Sequence, residues 1–202
     1  LSGTLQQNSD EIHTRRMEAN GHGYHYDSSE VDPHGSSYRV IGRFYGDWNQ
    51  EKEIARSESV QEDWNDNDAI DVCYLTEGMP VLNKMVQEFD FSRLLSTRVQ
   101  IQYPGNTVTR HVDEYSRKLD EHERAIRVLV PLEDWESGQH ACFGNTGCQG
   151  WKAGDIIFSD YELIPHSTSN SGWNYRSVLL ITGVVTDSTI KKLAFGMGDI
   201  YL

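Results

Sequence analysis

The chain predicts a mainly β fold, an antiparallel barrel or double-sheet jelly roll. Short strand-like runs crowd its second half, turn residues separate them, and little helix lies among them. Residues 97–103 alternate apolar and polar side chains as a half-buried strand does. Pro104, Gly105 and Asn106 make a turn, and residues 107–111 follow as a second strand. Residues 126–132 are a third, in which Pro131 marks an edge or a bulge near the end. Residues 140–143 are a short fourth. Residues 155–158 follow a turn at 152–154, and the apolar run 176–185 closes the series.

Upstream the pattern differs. Met79, Leu82, Met85, Val86, Phe89 and Leu94 recur at three- and four-residue intervals, which predicts a helix over 79–95 with one buried face. Residues 49–68 are strongly charged, include Trp64 and follow Trp48; they read as a solvated helix or long loop. Residues 1–40 are polar and glycine-rich. His22, His25 and His34 are scattered there in what reads as a surface segment. The expected organisation is one structural domain. A helical or irregular extension (1–96) packs on a jelly-roll core (97–186), and a tail (187–202) follows. No internal repeat or low-complexity tract interrupts it.

Composition narrows the partners. The 202 residues carry 18 basic against 31 acidic side chains, a formal charge of −13, with no basic cluster. That balance disfavours nucleic acid and anionic membrane surfaces. No run approaches the ~18 apolar residues of a membrane span. The N-terminus has no basic stretch followed by an apolar core, so it does not read as a secretion signal. Cys73, Cys142 and Cys148 do not form a disulfide framework, and reduced thiols in the cytoplasm are expected.

The chemistry lies in His111 and Asp113, with a lone His166 and then Arg176 further on. Residues two apart on a strand project to one face, so His111 and Asp113 can reach one metal. His166 falls between two predicted strands that can line the same cavity. Two imidazoles and one carboxylate hold ferrous iron on one face and leave the opposite positions open. A structural zinc site would need a fourth ligand, often Cys, and no such set is evident. Arg176 opens an apolar strand and Arg127 sits in another. Each needs an anionic partner, either an acidic side chain or a carboxylate-bearing ligand.

Residues 103–111 with 127–132, and then 151–160 leading to His166 and Arg176, resemble the aspartyl/asparaginyl β-hydroxylase family. The resemblance covers about residues 97–186. It implies a double-stranded β-helix (jelly-roll, cupin-like) core and the use of Fe(II), 2-oxoglutarate and O2. His111 and His166 match the family's metal histidines. Arg176 matches the arginine that pairs with the distal carboxylate of 2-oxoglutarate, and Arg127 a second arginine that helps with its other carboxylate. Several members lack the acidic ligand, whereas this chain has Asp113. The full triad is similar to the proline 3-hydroxylase branch.

The expected activity is hydroxylation of an amino acid or amino-acid-like C–H, in a small molecule or a peptide. The oligomeric state stays unspecified. Rival readings are a non-catalytic cupin-like metal- or ligand-binding module and a metal-dependent isomerase or hydrolase on the same barrel. The charged residues 117–125 are either a lid over the site or a solvated loop.

Overall fold

The structure, a computed structural model, describes residues 38–65, 68–115 and 119–202. His22, His25 and His34 lie outside the described residues, as do Arg117 and Lys118 of the candidate lid. In chain order the elements are β1 (Arg39–Tyr45), α1 (Asn49–Glu58), β2 (Val60–Asn65), β3 (Asp68–Tyr74), α2 (Pro80–Gln87), β4 (Arg93–Gln102), β5 (Thr107–His111) and β6 (Ala125–Pro131). After them come β7 (Gln139–Phe143), β8 (Thr146–Cys148), β9 (Asp155–Ser159), β10 (His166–Asn170), β11 (Arg176–Val184), α3 (Asp187–Phe195) and β12 (Gly198–Tyr201).

The strands form two sheets, as the jelly-roll expectation requires. The larger runs β12-β1-β9-β6-β11-β4-β3-β2 and the smaller β5-β10-β7-β8. Every pairing is antiparallel except that of β1 with β12. Strands β6 and β11 are buried along their whole length, which is why both read as nearly continuous apolar runs. Their alternate side chains Leu129, Val178 and Leu180 pack with Phe143 and Ala141 of the small sheet. That layer is the floor on which the site is built.

Three expectations change. First, Pro131 marks neither an edge nor a bulge. It is the last residue of β6, a strand inside the large sheet between β9 and β11, where a missing N–H interrupts no further ladder bond. Second, the helix predicted over 79–95 stops at Gln87, and Leu94 belongs to β4. Burying a large apolar side chain is worth roughly 1.5–3 kcal/mol. Met79, Leu82, Met85 and Phe89 are fully buried, whereas Leu94 is 50 % exposed, so extending the helix to it would gain little. Asp90 takes a positive φ of 53°, a conformation short polar side chains tolerate, and turns the chain into the strand. Third, the charged stretch 49–68 resolves into both α1 and strand β2.

The start of α2 is held from a distance. Its N-cap, Met79, has no side-chain acceptor, and Pro80 occupies the first turn. The carboxylate of Glu51, buried on α1, accepts from the backbone N–H groups of Val81 (2.9 Å) and Leu82 (2.8 Å). Glu51→Ala would leave both donors unsatisfied and is expected to cost about 2 kcal/mol in urea unfolding. Wild-type stability in that variant would remove the cap from the account.

The segment after residue 186 is built, not loose. Thr186 and Thr189 exchange side-chain-to-backbone hydrogen bonds in a capping box that starts α3. Strand β12 then lies so close to β1 that a Cβ at Gly42 would meet the Gly198 carbonyl oxygen at 2.4 Å.

Candidate metal centre

His111 ends β5, and β10 sets His166 directly opposite it in register. The two rings stand 4.3 Å apart between centroids. Asp113 lies just past the strand end, where its backbone N–H donates to the Tyr161 carbonyl (2.8 Å). One ligand atom from each of the three residues lies within 4.8 Å of the others. Asp113 Oδ1 is 3.5 Å from His111 Nε2 and 3.7 Å from His166 Nε2. Donors held about 2 Å from a common ion at right angles sit about 3 Å apart, so small side-chain adjustments suffice for one metal.

The histidines are oriented for the task. His111 Nδ1 lies 2.8 Å from the Thr109 carbonyl and His166 Nδ1 3.1 Å from that of Ile164. Carbonyls accept only, so each Nδ1 carries the proton; His166 Nε2 is left with its lone pair, and His111 Nε2 hydrogen-bonds Asp113 when that ring is protonated. Burial lowers the His166 pKa to about 4, leaving the ring neutral at physiological pH. His111 is raised instead, chiefly by its hydrogen bond to Asp113. Burial opposes ionisation of Asp113, but the His111 hydrogen bond and the Arg127 charge bring it down to about 2. A divalent cation displacing the His111 Nε2 proton would meet two imidazole lone pairs and a carboxylate.

Arg127 reaches Asp113 Oδ2 at 2.5 Å, and the Tyr115 hydroxyl donates to the same oxygen. Its Nε donates to Thr182 Oγ1 at 3.0 Å, across the β6–β11 register that pairs the two residues. The resemblance assigns Arg127 to the co-substrate; the structure brings it against the acidic side chain of the cluster.

Arg176, first residue of β11, is buried with its guanidinium 4.9 Å over the Trp151 ring. Its NH1 donates to Gln102 Oε1 at 2.7 Å, and its Nε has no partner. Among the described residues no carboxylate pairs with it. The sequence left two partners open for Arg176, an acidic side chain or a ligand, and the first is absent here. Burial lowers its pKa to about 10, so it is still a cation at neutral pH. One cavity between the sheets is lined by His111, His166, Arg127 and Arg176 together.

Sequence reasoning missed Tyr161 and Thr168. Both line the same cavity with hydroxyls that have no partner. Neither belongs to a motif; only the fold gives them a place. Trp151 is buried and Trp135 partly so, whereas Trp173 is 95 % exposed, which makes it no part of a pocket wall. Of the candidate lid, the described residues after 118 are held by Arg124 to Asp160 (3.2 Å) and by Glu123 to Arg93. The three cysteines are unbridged.

No family model matches the sequence, and no curated protein matches it. Solved structures do share the architecture. A prolyl hydroxylase from Trichoplax adhaerens, in complex with a hypoxia-inducible-factor oxygen degradation domain peptide, superposes with a TM-score of 0.59 at 13 % identity, over 95 % of this chain and 96 % of that one. The viral collagen prolyl hydroxylase of Paramecium bursaria Chlorella virus-1, solved with 2-oxoglutarate, gives 0.55 at 15 % over 75 % and 98 %. A Pseudomonas putida prolyl-4-hydroxylase gives 0.56 at 14 % over 74 % and 93 %. At these identities the likeness is one of fold: a jelly roll of the kind that iron- and 2-oxoglutarate-dependent oxygenases use. No helix among the described residues is long and apolar enough to cross a membrane.

Proposed function

We propose that the chain is an Fe(II)- and 2-oxoglutarate-dependent oxygenase of the aspartyl/asparaginyl β-hydroxylase type, nearest in its triad to the proline 3-hydroxylase branch. Its reaction is hydroxylation of an amino acid or amino-acid-like C–H, free or within a peptide. One observation carries the reading: a buried guanidinium without a carboxylate partner among the described residues shares a cavity with His111 and His166, two of the three converging metal donors. The motif order in residues 97–186 and the shared architecture with prolyl hydroxylases support it, and the peptide complex of one neighbour keeps a peptidyl substrate within the proposal.

In this reading His111 Nε2, His166 Nε2 and Asp113 Oδ1 hold the metal. Iron(II), with 2-oxoglutarate and O2, supplies the oxidant that hydroxylates the C–H bond. The rest is the protein's contribution. Arg176 offers its unpartnered Nε to the far carboxylate of the co-substrate, with the Trp151 face and Gln102 fixing the guanidinium plane. The orphan hydroxyls of Tyr161 and Thr168 are further donors into the cavity. Leu129, Phe143, Val178 and Leu180 wall it with apolar surface and keep water away. The catalytic segment is residues 97–186, and the unbridged thiols fit the cytoplasm.

The test is succinate formation from 2-oxoglutarate with Fe(II), O2 and a panel of free and peptidyl amino acids. Substrate-stimulated succinate is expected. None after anaerobic iron loading would leave a metal-binding module instead, and oxygen-independent activity with zinc or manganese would indicate a hydrolase or isomerase.

A further inference from the structure

We propose that Arg127 and Tyr115 are positioning residues that hold Asp113 by one carboxylate oxygen, so that only the other is offered to the histidines. The inference rests on reading His111, Asp113 and His166 as a metal centre. It gives Arg127 a task different from the one the family resemblance implies.

Asp113 needs such a device. It sits beyond the end of β5, so no ladder fixes its side chain, and only its backbone N–H is tied, to Tyr161. A carboxylate left free to rotate can bind a cation through both oxygens. On a six-coordinate ion that would take one of the three positions a two-histidine, one-carboxylate set leaves open. Here Oδ2 takes the Arg127 NH1 at 2.5 Å and the Tyr115 hydroxyl, while Oδ1 faces both Nε2 atoms. Two donors on one oxygen make a single-oxygen presentation the favoured one.

Arg127 is itself held still. Its Nε bonds Thr182 on the neighbouring strand, and its guanidinium lies between the Tyr115 ring (5.4 Å) and the Tyr161 ring (5.7 Å). The line of support therefore runs from the rigid centre of the large sheet, through Thr182 and Arg127, to the carboxylate. Tyr115 closes it from the far side, its own backbone N–H bonded to Glu162 at 3.1 Å. Outer partners of metal ligands typically hold ten- to a hundredfold in affinity.

The experiment measures Mn(II) binding by loss of the free-ion electron paramagnetic resonance signal, for wild type, Tyr115→Phe and Arg127→Lys. Thermal unfolding of each metal-free protein is recorded beside it. Both variants separate geometry from charge: the first removes one hydroxyl, and the second keeps the cation but loses the planar fork. Dissociation constants about tenfold or more above wild type, with Tyr115→Phe melting as wild type does, are expected. Wild-type affinity in both variants overturns the proposal. Failure of the wild type to bind Mn(II) overturns the metal-centre reading itself, a separate result.

Discussion

Alanine at His111 is expected to abolish 2-oxoglutarate turnover and weaken Mn(II) binding on the order of a hundredfold or more, while metal-free unfolding stays near wild type. Losing an outer partner of a ligand already costs up to about a hundredfold, so losing the ligand costs no less. The His111 side chain is 25 % exposed, and its removal leaves no charge stranded. Asp113→Ala has a second consequence. Arg127, with a side chain 10 % exposed, would lose its carboxylate and remain buried as a cation. Stranding one member of a buried ion pair costs about 3–5 kcal/mol. Asp113→Ala is therefore expected to melt clearly below His111→Ala although both lose the metal. Equal melting temperatures would show that Arg127 finds other company, and retained turnover in either variant would strike that residue from the ligand set.

Arg176→Met should show the opposite separation. A partly buried carboxylate accepting from an arginine is worth about 1.5–3 kcal/mol, so the 2-oxoglutarate KM should rise on the order of ten- to a hundredfold. Metal affinity should hardly move. Stability should fall by no more than about 1–3 kcal/mol, the cost of leaving Gln102 Oε1 without its donor, because Arg176 pairs with no acid among the described residues and burying an apolar chain in its place relieves a desolvated cation. A variant that unfolds more easily with an unchanged KM would recast Arg176 as a structural residue.

Much of the candidate centre was legible in the sequence alone. The spacing of His111 and Asp113 and the isolated positions of His166 and Arg176 were enough to single out all four. The strands that alternate or run apolar (within 97–103, 126–132, 140–143, 155–158 and 176–185) were legible because burial imposes a period on sequence. Strand β10 was not, since its five residues (His166, Ser167, Thr168, Ser169, Asn170) offer no apolar period. It forms because neighbours on both sides satisfy its backbone. Strand β3 hid for a related reason: Ile70 and Val72 point to one cluster with Val108, but acidic residues surround them. The overlong helix came from Leu94, which fits a helical period and a strand equally well. The partner of Arg127 was beyond reach, because a chain with 31 acidic residues does not say which of them an arginine will meet.

The register between β5 and β10 has a further meaning for how this centre tolerates change. His166 faces His111 across one rung, although the ladder is irregular just beyond it, where three steps of β5 (Val108 to His111) face two of β10 (His166 to Thr168); that rung does not constrain the number of residues between Asp113 and His166. Lengthening the loop at 119–124 should be harmless to metal capture. The ladder of β10 with β7 is regular from His166–Phe143 to Asn170–Gln139, so one residue inserted between Ser167 and Ser169 would turn the imidazole to the opposite face of that pair, dismantling the centre without touching any of its members.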